Sequence, residues 1–133
     1  MKIVSLISCV KTKNKHICEA KDMYISPLFR YMYRYAKKRS NKIYILSAKY
    51  GVLEENTVIE PYNKTLNNAS EEEKKEWSKK VMKTLSLKED INNTYFILLG
   101  GVNYFKYLTL PNSVNPLKGL SLGFRLKYLK KNI

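Results

Sequence analysis

The sequence predicts an α/β fold, a small three-layer sandwich in which a mainly parallel sheet of about 3–4 strands is flanked by helices. Two observations lead to this prediction. Short, nearly continuous apolar runs are typical of strands that are covered on both faces. Segments with helical spacing of apolar residues separate these runs, and such alternation is typical of crossover units in a parallel sheet. A length of 133 residues is that of one domain, 1–133.

Three runs rich in Ile, Leu, Val, Tyr and Phe are predicted to be the buried strands. They are KIVSLISCV at 2–10, KIYILSAKY at 42–50 and TYFILLGGV at 94–102. Each run ends in small or polar residues. Because ligands of open parallel sheets bind beyond the carboxyl ends of the strands, we expect these ends to meet at a ligand site.

Two helices are predicted from their start signals. In SPLFRYMYRYAKKRS, Ser26 is a good N-cap and Pro27 suits the first helical turn. The next helix begins after NAS, where Ser70 and Glu73 form an S-x-x-E capping box and three consecutive glutamates lie near the positive end of the helix dipole. Its predicted inward stripe is Trp77, Val81 and Leu85.

A third helix is predicted over about 117–131, with lysines in its last turn, where they suit a helix C-terminus. Its predicted inward residues are Leu122, Leu126 and Leu129. The long irregular stretch is GVLEENTVIEPYNKTLNN at 51–68, and loops of more than ~12–15 residues are usually functional or disordered. Four residues favour order here: Ile59, Pro61, Tyr62 and Leu66.

The charge balance indicates an anionic partner. The chain has 25 Lys and Arg against 11 Asp and Glu, a formal charge of +14, which attracts nucleic acid, nucleotide phosphates or an anionic membrane face. The alternative is that the positive charge reflects an overall amino-acid composition rich in Lys and Asn and does not indicate a partner. Arginine reads bases and phosphates in bidentate fashion, so the basic surface of the first helix is a predicted nucleic-acid-binding site. Its members are Arg30, Arg34, Lys37, Lys38 and Arg39.

No cofactor, metal or membrane partner is predicted. Cys9 and Cys18 form no CxxC pair and His16 is the only histidine, so a zinc site could use only these three ligands at a non-standard spacing. The apolar run at the N-terminus is too short for a signal peptide, and no run of eighteen apolar residues exists. A soluble cytoplasmic protein with free thiols is therefore expected.

The ends of the first and third runs supply hydroxyl, thiol, ammonium and glycine groups, a set suited to holding an anion. The end of the first run supplies Lys13 and three residues predicted to bind substrate, Ser8, Cys9 and Lys11. The end of the third run supplies two more, Gly100 and Gly101. Aromatic faces for a nucleobase are expected from Tyr24, Tyr50, Tyr62 and Tyr104. Each prediction has an alternative. The glycines could form an ordinary strand-to-helix turn, and the tyrosines could pack at the margins of the core.

A catalytic set is predicted at Ser47, Lys49 and Glu60. Ser47 and Lys49 follow the second run and are expected to leave the core at the ligand edge. If the protein is an enzyme, attack at the anomeric carbon of a nucleoside is the favoured chemistry, because its cationic transition state calls for a carboxylate such as Glu60. Two alternatives are an enamine-forming lysine, Lys11 or Lys49, and a non-catalytic basic module that binds DNA or a partner.

Several stretches carry a resemblance to a known group. They are SCVKTK, MYISPLF, YILSAKYGVL followed by EPYNKTL, LLGGVNY and NPLKGLSLGFRLKYL. In this order they resemble an uncharacterised bacterial and phage domain family grouped with the peroxide-stress protein YaaA. The resemblance implies DNA binding, protection from oxidative damage and a fold like that of DNA glycosylases. The chain has neither the Asp-Pro-Tyr nor the His-Pro-Ser motif of uracil-DNA glycosylases.

Overall fold

Strands and helices alternate along the chain in the computed structural model, which describes residues 1–133. The strands are β1 (Lys2–Ser8), β2 (Cys18–Glu19), β3 (Lys42–Ser47), β4 (Gly51–Glu54), β5 (Val58–Ile59), β6 (Thr94–Leu99) and β7 (Ser113–Val114). The helices are α1 (Ala20–Met23), α2 (Pro27–Arg39), α3 (Glu71–Lys88), α4 (Val102–Phe105) and α5 (Leu122–Lys131). The predicted α/β class is confirmed.

The main sheet has five strands in the order β4-β3-β1-β6-β7. β1 pairs in parallel with β3 on one side and with β6 on the other, so Ser8 lies beside Leu46 and Ile7 beside Leu99. β7 extends the sheet in parallel, whereas β4 folds back antiparallel on β3. The three predicted strands, β1, β3 and β6, are therefore present and pair in parallel. The two additional strands, β4 and β7, form the edges of the sheet.

Two groups of helices flank the sheet. α2 contacts β1 and β3 and packs against α5, whereas α3 packs against β4 and α4. The chain moves from β1 to β3 through α2 and in the opposite direction to β6 through α3. Because crossovers between parallel strands are right-handed, these two helices lie on opposite faces.

The predicted start signals of α2 and α3 are present. Ser26 Oγ accepts from the Phe29 N–H at 3.1 Å, and Ser70 Oγ accepts from the Glu73 N–H at 3.2 Å. Each bond satisfies one of the N–H groups that a helix start leaves without an intrahelical partner. The predicted inward residues of α3 are all buried: Trp77, Val81 and Leu85.

α5 is shorter than predicted. It begins at Leu122, where the Ser121 hydroxyl caps it, and not at about residue 117. The prediction that Leu122 faces inward is wrong, because this residue lies in the first turn and is 60% exposed. Leu117, in the turn before the helix, is fully buried, as is Leu129 near the helix end.

The long stretch 51–68 is ordered, as its apolar residues predict. It contains β4, then β5, which pairs antiparallel with β2 in a small second sheet, and then a 3-10 turn at Leu66–Asn68. Ile59 and Leu66 are buried and anchor this segment to the core. The segment therefore forms a fixed wall beside the carboxyl ends of the strands.

Candidate functional site

A cleft of about 730 Å³ opens beyond the carboxyl ends of β1 and β6. The chain leaves β1 toward β3 and leaves β6 toward α4, so this is the switch point of the strand order, where ligands of open α/β sheets bind. Segments far apart in sequence line the cleft: the end of β1, the start of α2, residues 63–68, the Gly100–Gly101 turn and one residue of α5.

The turn after β6 forms the floor of the cleft. Ser8 Oγ accepts from the Gly101 N–H at 3.1 Å, which ties the end of β1 to this turn. Gly100 has φ +137°, and a Cβ there would lie 1.8 Å from Ser8 Oγ. The turn therefore needs glycine at position 100 for both its backbone conformation and its close approach to Ser8.

Arg125, from the first turn of α5, closes one side of the cleft. Its Nη1 donates to the Gly100 carbonyl oxygen at 3.1 Å, and its Nε donates to the Leu120 carbonyl oxygen at 2.9 Å. Two of the five guanidinium N–H groups are thereby used, and these bonds hold the plane of the group. The remaining N–H groups are available to an anion.

Four cationic side chains line the cleft: Lys11, Lys13, Lys64 and Arg125. No Asp or Glu lines it, and none of the four forms an ion pair with a carboxylate elsewhere. Uncompensated cations in a concave site produce a focused positive potential. The cleft is therefore electrostatically suited to an anion.

Lys13 is the most enclosed of the cleft lysines. Its Nζ donates to the Lys11 carbonyl oxygen at 3.3 Å and lies 4.6 Å from the centroid of the Tyr62 ring. Burial lowers the pKa of the Lys13 ammonium, because desolvation disfavours its charged form, and the nearby Cys9 opposes this shift.

Cys9 and Tyr104 join the cleft to the 63–68 segment. The Cys9 thiol donates to the Tyr104 hydroxyl oxygen at 3.3 Å, and this oxygen also accepts from the Leu66 N–H at 3.3 Å. Burial raises the pKa of Tyr104 to about 12. Tyr104 therefore stays protonated at neutral pH and holds the segment against the end of β1.

Polar side chains of the 63–68 segment form the rim of the cleft: Asn63, Thr65, Asn67 and Asn68. Thr65 Oγ1 accepts from the Asn67 N–H at 3.1 Å, and Asn67 Oδ1 accepts from Asn103 Nδ2 at 3.0 Å. Amide side chains offer both donors and acceptors, the combination that base edges present.

The match to a protein family covers residues 4–131, and the family is described as "Family of unknown function (DUF6884)". The chain belongs to this family. Searches of curated proteins and of solved structures found no match. The prediction of an uncharacterised domain family is confirmed, whereas the link to YaaA stays a prediction.

The predicted substrate-binding residues at the ends of the first and third runs come together. Ser8, Cys9, Lys11, Gly100 and Gly101 all line the cleft. Sequence reasoning missed Lys64 and Arg125 as binding residues. A signal for both was available, because they lie in the stretches EPYNKTL and NPLKGLSLGFRLKYL that carry the family resemblance.

The expectation that Ser47 leaves the core is wrong. Ser47 is fully buried, and its hydroxyl oxygen accepts from the N–H groups of Lys49 and Tyr50 at 3.2 and 3.0 Å. Its own proton is donated to the Tyr62 hydroxyl at 2.8 Å. The reason is the hairpin to β4, in which the Ser47 side chain caps the turn and does not line the cleft.

Lys49 and Glu60 also lie outside the cleft. Lys49 is exposed in the hairpin turn and lines a separate cavity of about 360 Å³ beside Glu73 and Glu76 of α3. Glu60 is exposed, and its backbone carbonyl oxygen accepts from the Tyr50 hydroxyl at 3.4 Å. The catalytic role of Ser47, Lys49 and Glu60 stays a prediction that this geometry does not test.

Two of the four predicted tyrosines, Tyr24 and Tyr104, are buried, whereas Tyr50 is 36% exposed and lies outside the cleft. Tyr24 is buried against Phe29, with ring centroids 5.0 Å apart, and its hydroxyl bonds to that of Tyr62 at 2.7 Å. Among the four tyrosines only Tyr104 lines the cleft, and it is 3% exposed. The apolar wall that a base could contact is formed instead by Val10, Leu28 and Met32.

The basic residues predicted on α2 do not form one uniform surface. Arg30 and Arg34 line a second groove of about 380 Å³, which also contains Asp22. Lys37 pairs with Glu55 at 3.1 Å, and the Arg39 guanidinium stacks 3.9 Å from the Tyr35 ring centroid. Lys38 is exposed.

Two further observations concern metals and membranes. No three His, Cys, Asp or Glu side chains are grouped so that they could hold a metal ion. None of the helices combines the length and apolarity that crossing a membrane requires.

Proposed function

We propose that the protein binds a phosphate-bearing ligand, a nucleotide or a segment of nucleic acid, in the cleft beyond β1 and β6. One observation carries this proposal: four cations line the cleft without a single carboxylate among its lining residues. Like charges held in a concave site repel one another, and a bound polyanion would relieve that repulsion.

The hydrogen-bond donors at the floor favour phosphate among anions. The Gly101 N–H donates to Ser8 Oγ at 3.1 Å, and the Ser8 hydroxyl proton can itself be donated to a ligand oxygen. Arg125 is held by two backbone carbonyl oxygens and retains donors for a bidentate contact with phosphate oxygens. Lys11 and Lys64 add flexible charges at the opening.

The remainder of the cleft favours a ligand larger than phosphate itself. A volume of about 730 Å³ lies within the usual range of ~300–1,000 Å³ for small-molecule sites. Val10, Leu28 and Met32 provide an apolar wall, and the asparagines of the rim provide donors and acceptors. A nucleobase has both an apolar face and a polar edge, which suits this pairing. The resemblance to the YaaA group adds DNA to the ligands worth testing.

The proposal is for binding and does not include glycosidic cleavage. Cleavage at an anomeric carbon calls for a carboxylate close to the sugar, and the cleft has none. Glu60, the predicted candidate, is exposed outside the cleft. A cleavage reaction would therefore need a carboxylate from outside the lining residues.

Calorimetric titration tests the proposal with four nucleoside 5′-monophosphates, the matching nucleosides and a short single-stranded oligonucleotide. Lys11→Ala should weaken monophosphate binding about tenfold to a hundredfold, because a charge-assisted bond contributes ~1.5–3 kcal/mol. Lys49→Ala is the matched control, since it removes another exposed lysine outside the cleft. Equal losses in the two variants, or nucleosides that bind as tightly as their monophosphates, would refute a phosphate site.

A second candidate is a basic module that binds nucleic acid through α2 without the cleft. It is favoured by Arg30 and Arg34, which are exposed, one helical turn apart and without an ion pair. In that case the double variant Arg30→Gln, Arg34→Gln should lose oligonucleotide binding, while Lys11→Ala should retain it.

A further inference from the structure

Lys13 differs from the other lysines of the cleft in its enclosure. Lys11 and Lys64 are exposed, whereas the Lys13 side chain is partly buried between the Lys11 carbonyl oxygen and the Tyr62 ring. No carboxylate pairs with it. A phosphate contact needs only a charged ammonium, which an exposed lysine supplies as well. The enclosure of this one amine therefore indicates another role.

We propose that Lys13 is a reactive amine that condenses with the carbonyl group of a phosphate-bearing aldehyde or ketone, such as the open-chain form of a sugar phosphate. This inference rests on the proposed phosphate site. Lys11, Lys64 and Arg125 would hold the phosphate, and the carbonyl carbon would lie against the Lys13 Nζ. Anchoring by the phosphate would raise the effective concentration of the carbonyl group at this nitrogen.

The reaction is a balanced condensation. The lone pair of the neutral Lys13 amine attacks the carbonyl carbon and forms a C–N bond, and protons move from nitrogen to oxygen. The oxygen then leaves as water, so that a C=N bond replaces the C=O bond. No oxidant, reductant or metal takes part, and hydrolysis reverses the step.

Two features of the cleft favour the neutral amine that this reaction requires: the partial burial of Lys13 and the neighbouring cations Lys11, Lys64 and Arg125. They oppose the contacts with the Lys11 carbonyl oxygen and the Tyr62 ring, which favour the ammonium. Burial lowers the pKa of its ammonium, and enclosed lysines of this kind serve as Schiff-base nucleophiles. The hydroxyl of Ser8 and the thiol of Cys9 line the same cleft, as do the apolar side chains of Val10 and Leu28.

Pyridoxal 5′-phosphate is a suitable probe, because it carries both an aldehyde and a phosphate. The full chain is incubated with it at neutral pH, reduced with borohydride and digested, and the modified lysines are identified by peptide mass spectrometry. A lowered pKa raises the free-amine fraction at neutral pH, so Lys13 should carry more adduct than either Lys11 or Lys64.

Two controls separate the amine from the phosphate site. Lys13→Arg keeps the charge but has no condensing amine, so the adduct at this position should disappear. The unfolding midpoint of the variant shows whether it is folded. Lys49→Arg changes a lysine outside the cleft and should leave the amount of adduct at Lys13 unchanged. Pyridoxal without its phosphate should label Lys13 at least about tenfold less, since it lacks the anchoring charge-assisted bonds.

The outcomes distinguish the two proposals. Adduct spread evenly over the exposed lysines, with nucleoside monophosphates still bound, overturns the reactive amine and leaves the phosphate site intact. Selective adduct at Lys13 that pyridoxal forms equally well, with no binding of monophosphates, supports the amine and refutes the phosphate site. Selective adduct that inorganic phosphate suppresses supports both.

Discussion

Gly100→Ala is the substitution for which the structure gives the sharpest expectation. Gly100 joins β6 to the floor of the cleft and has φ +137°, a conformation that residues with a Cβ rarely adopt. A Cβ at this position would lie 1.8 Å from Ser8 Oγ and 2.7 Å from Ser8 Cβ. Because Ser8 lies in the central strand β1, the backbone of the turn must move.

The magnitude has two parts. A non-glycine residue in a sparsely populated backbone conformation costs ~1–3 kcal/mol, and overpacking of a close-packed site costs a further ~1–3 kcal/mol. Gly100→Ala should therefore lower the free energy of unfolding by about 2–6 kcal/mol. Since domains are stable by only ~5–15 kcal/mol, this loss is a large fraction of the total.

Two other glycines are matched controls. Gly119 also has a positive φ, +80°, but a Cβ there would meet nothing within 4 Å, so Gly119→Ala should cost only the backbone term of ~1–2 kcal/mol. Gly123 has an ordinary φ inside α5 and also faces open space, so Gly123→Ala should stabilise the protein by ~0.5–1 kcal/mol.

Urea unfolding followed by far-ultraviolet circular dichroism measures all three variants. The double variant Ser8→Gly, Gly100→Ala provides a further check, because removal of the Ser8 side chain leaves its backbone N as the nearest of the three contacts, at 3.2 Å. The double variant should be more stable than the sum of the two single losses. If Gly100→Ala lowers the free energy of unfolding no more than Gly119→Ala does, the close approach of the turn to Ser8 does not exist.

Three more predictions concern packing, pH and salt. Trp77→Ala should lower the free energy of unfolding by ~3–5 kcal/mol. Trp77→Phe, which loses part of the buried ring system and the indole N–H bond to the Ser47 carbonyl oxygen at 3.0 Å, should lower it by less. Equal urea midpoints for the unsubstituted protein and Trp77→Ala would show that this face is not packed. Since burial raises the pKa of Tyr104 from its usual 10.0 to about 12, the folded state favours the protonated phenol, and this contribution to stability is complete below pH 10 and lost as the pH rises through about 12. Between pH 10 and about 12, the free energy of unfolding should therefore fall less steeply with pH in Tyr104→Phe than in the unsubstituted protein. Equal slopes in the two proteins would contradict this prediction. Binding of single-stranded DNA should weaken with salt at a log–log slope of about −0.7 per phosphate contacted, and a flat response in a salt titration would exclude phosphate contacts.

Part of the candidate site is predictable because it depends only on parallel pairing. Ser8 ends β1 and Gly100 follows β6, and parallel strands bring their carboxyl ends to the same edge. The same reasoning does not bring Ser47 and Lys49 into this cleft. Nothing in the apolar run at 42–50 shows that the next strand turns back antiparallel, and this hairpin buries the Ser47 hydroxyl and carries Lys49 away from the cleft.

The sequence by itself determined the elements of this protein: the α/β class, the three buried strands, the caps at Ser26 and Ser70, and the excess of positive charge. These features depend on neighbouring residues, whose spacing and hydrogen bonds act over one or two turns of chain. Only the tertiary structure decided which charges share a cleft. Lys64 reaches it through the folded 51–68 segment and Arg125 through the packing of α5 on α2, contacts between residues distant along the chain. Such contacts depend on how whole elements pack, and no local pattern encodes that packing.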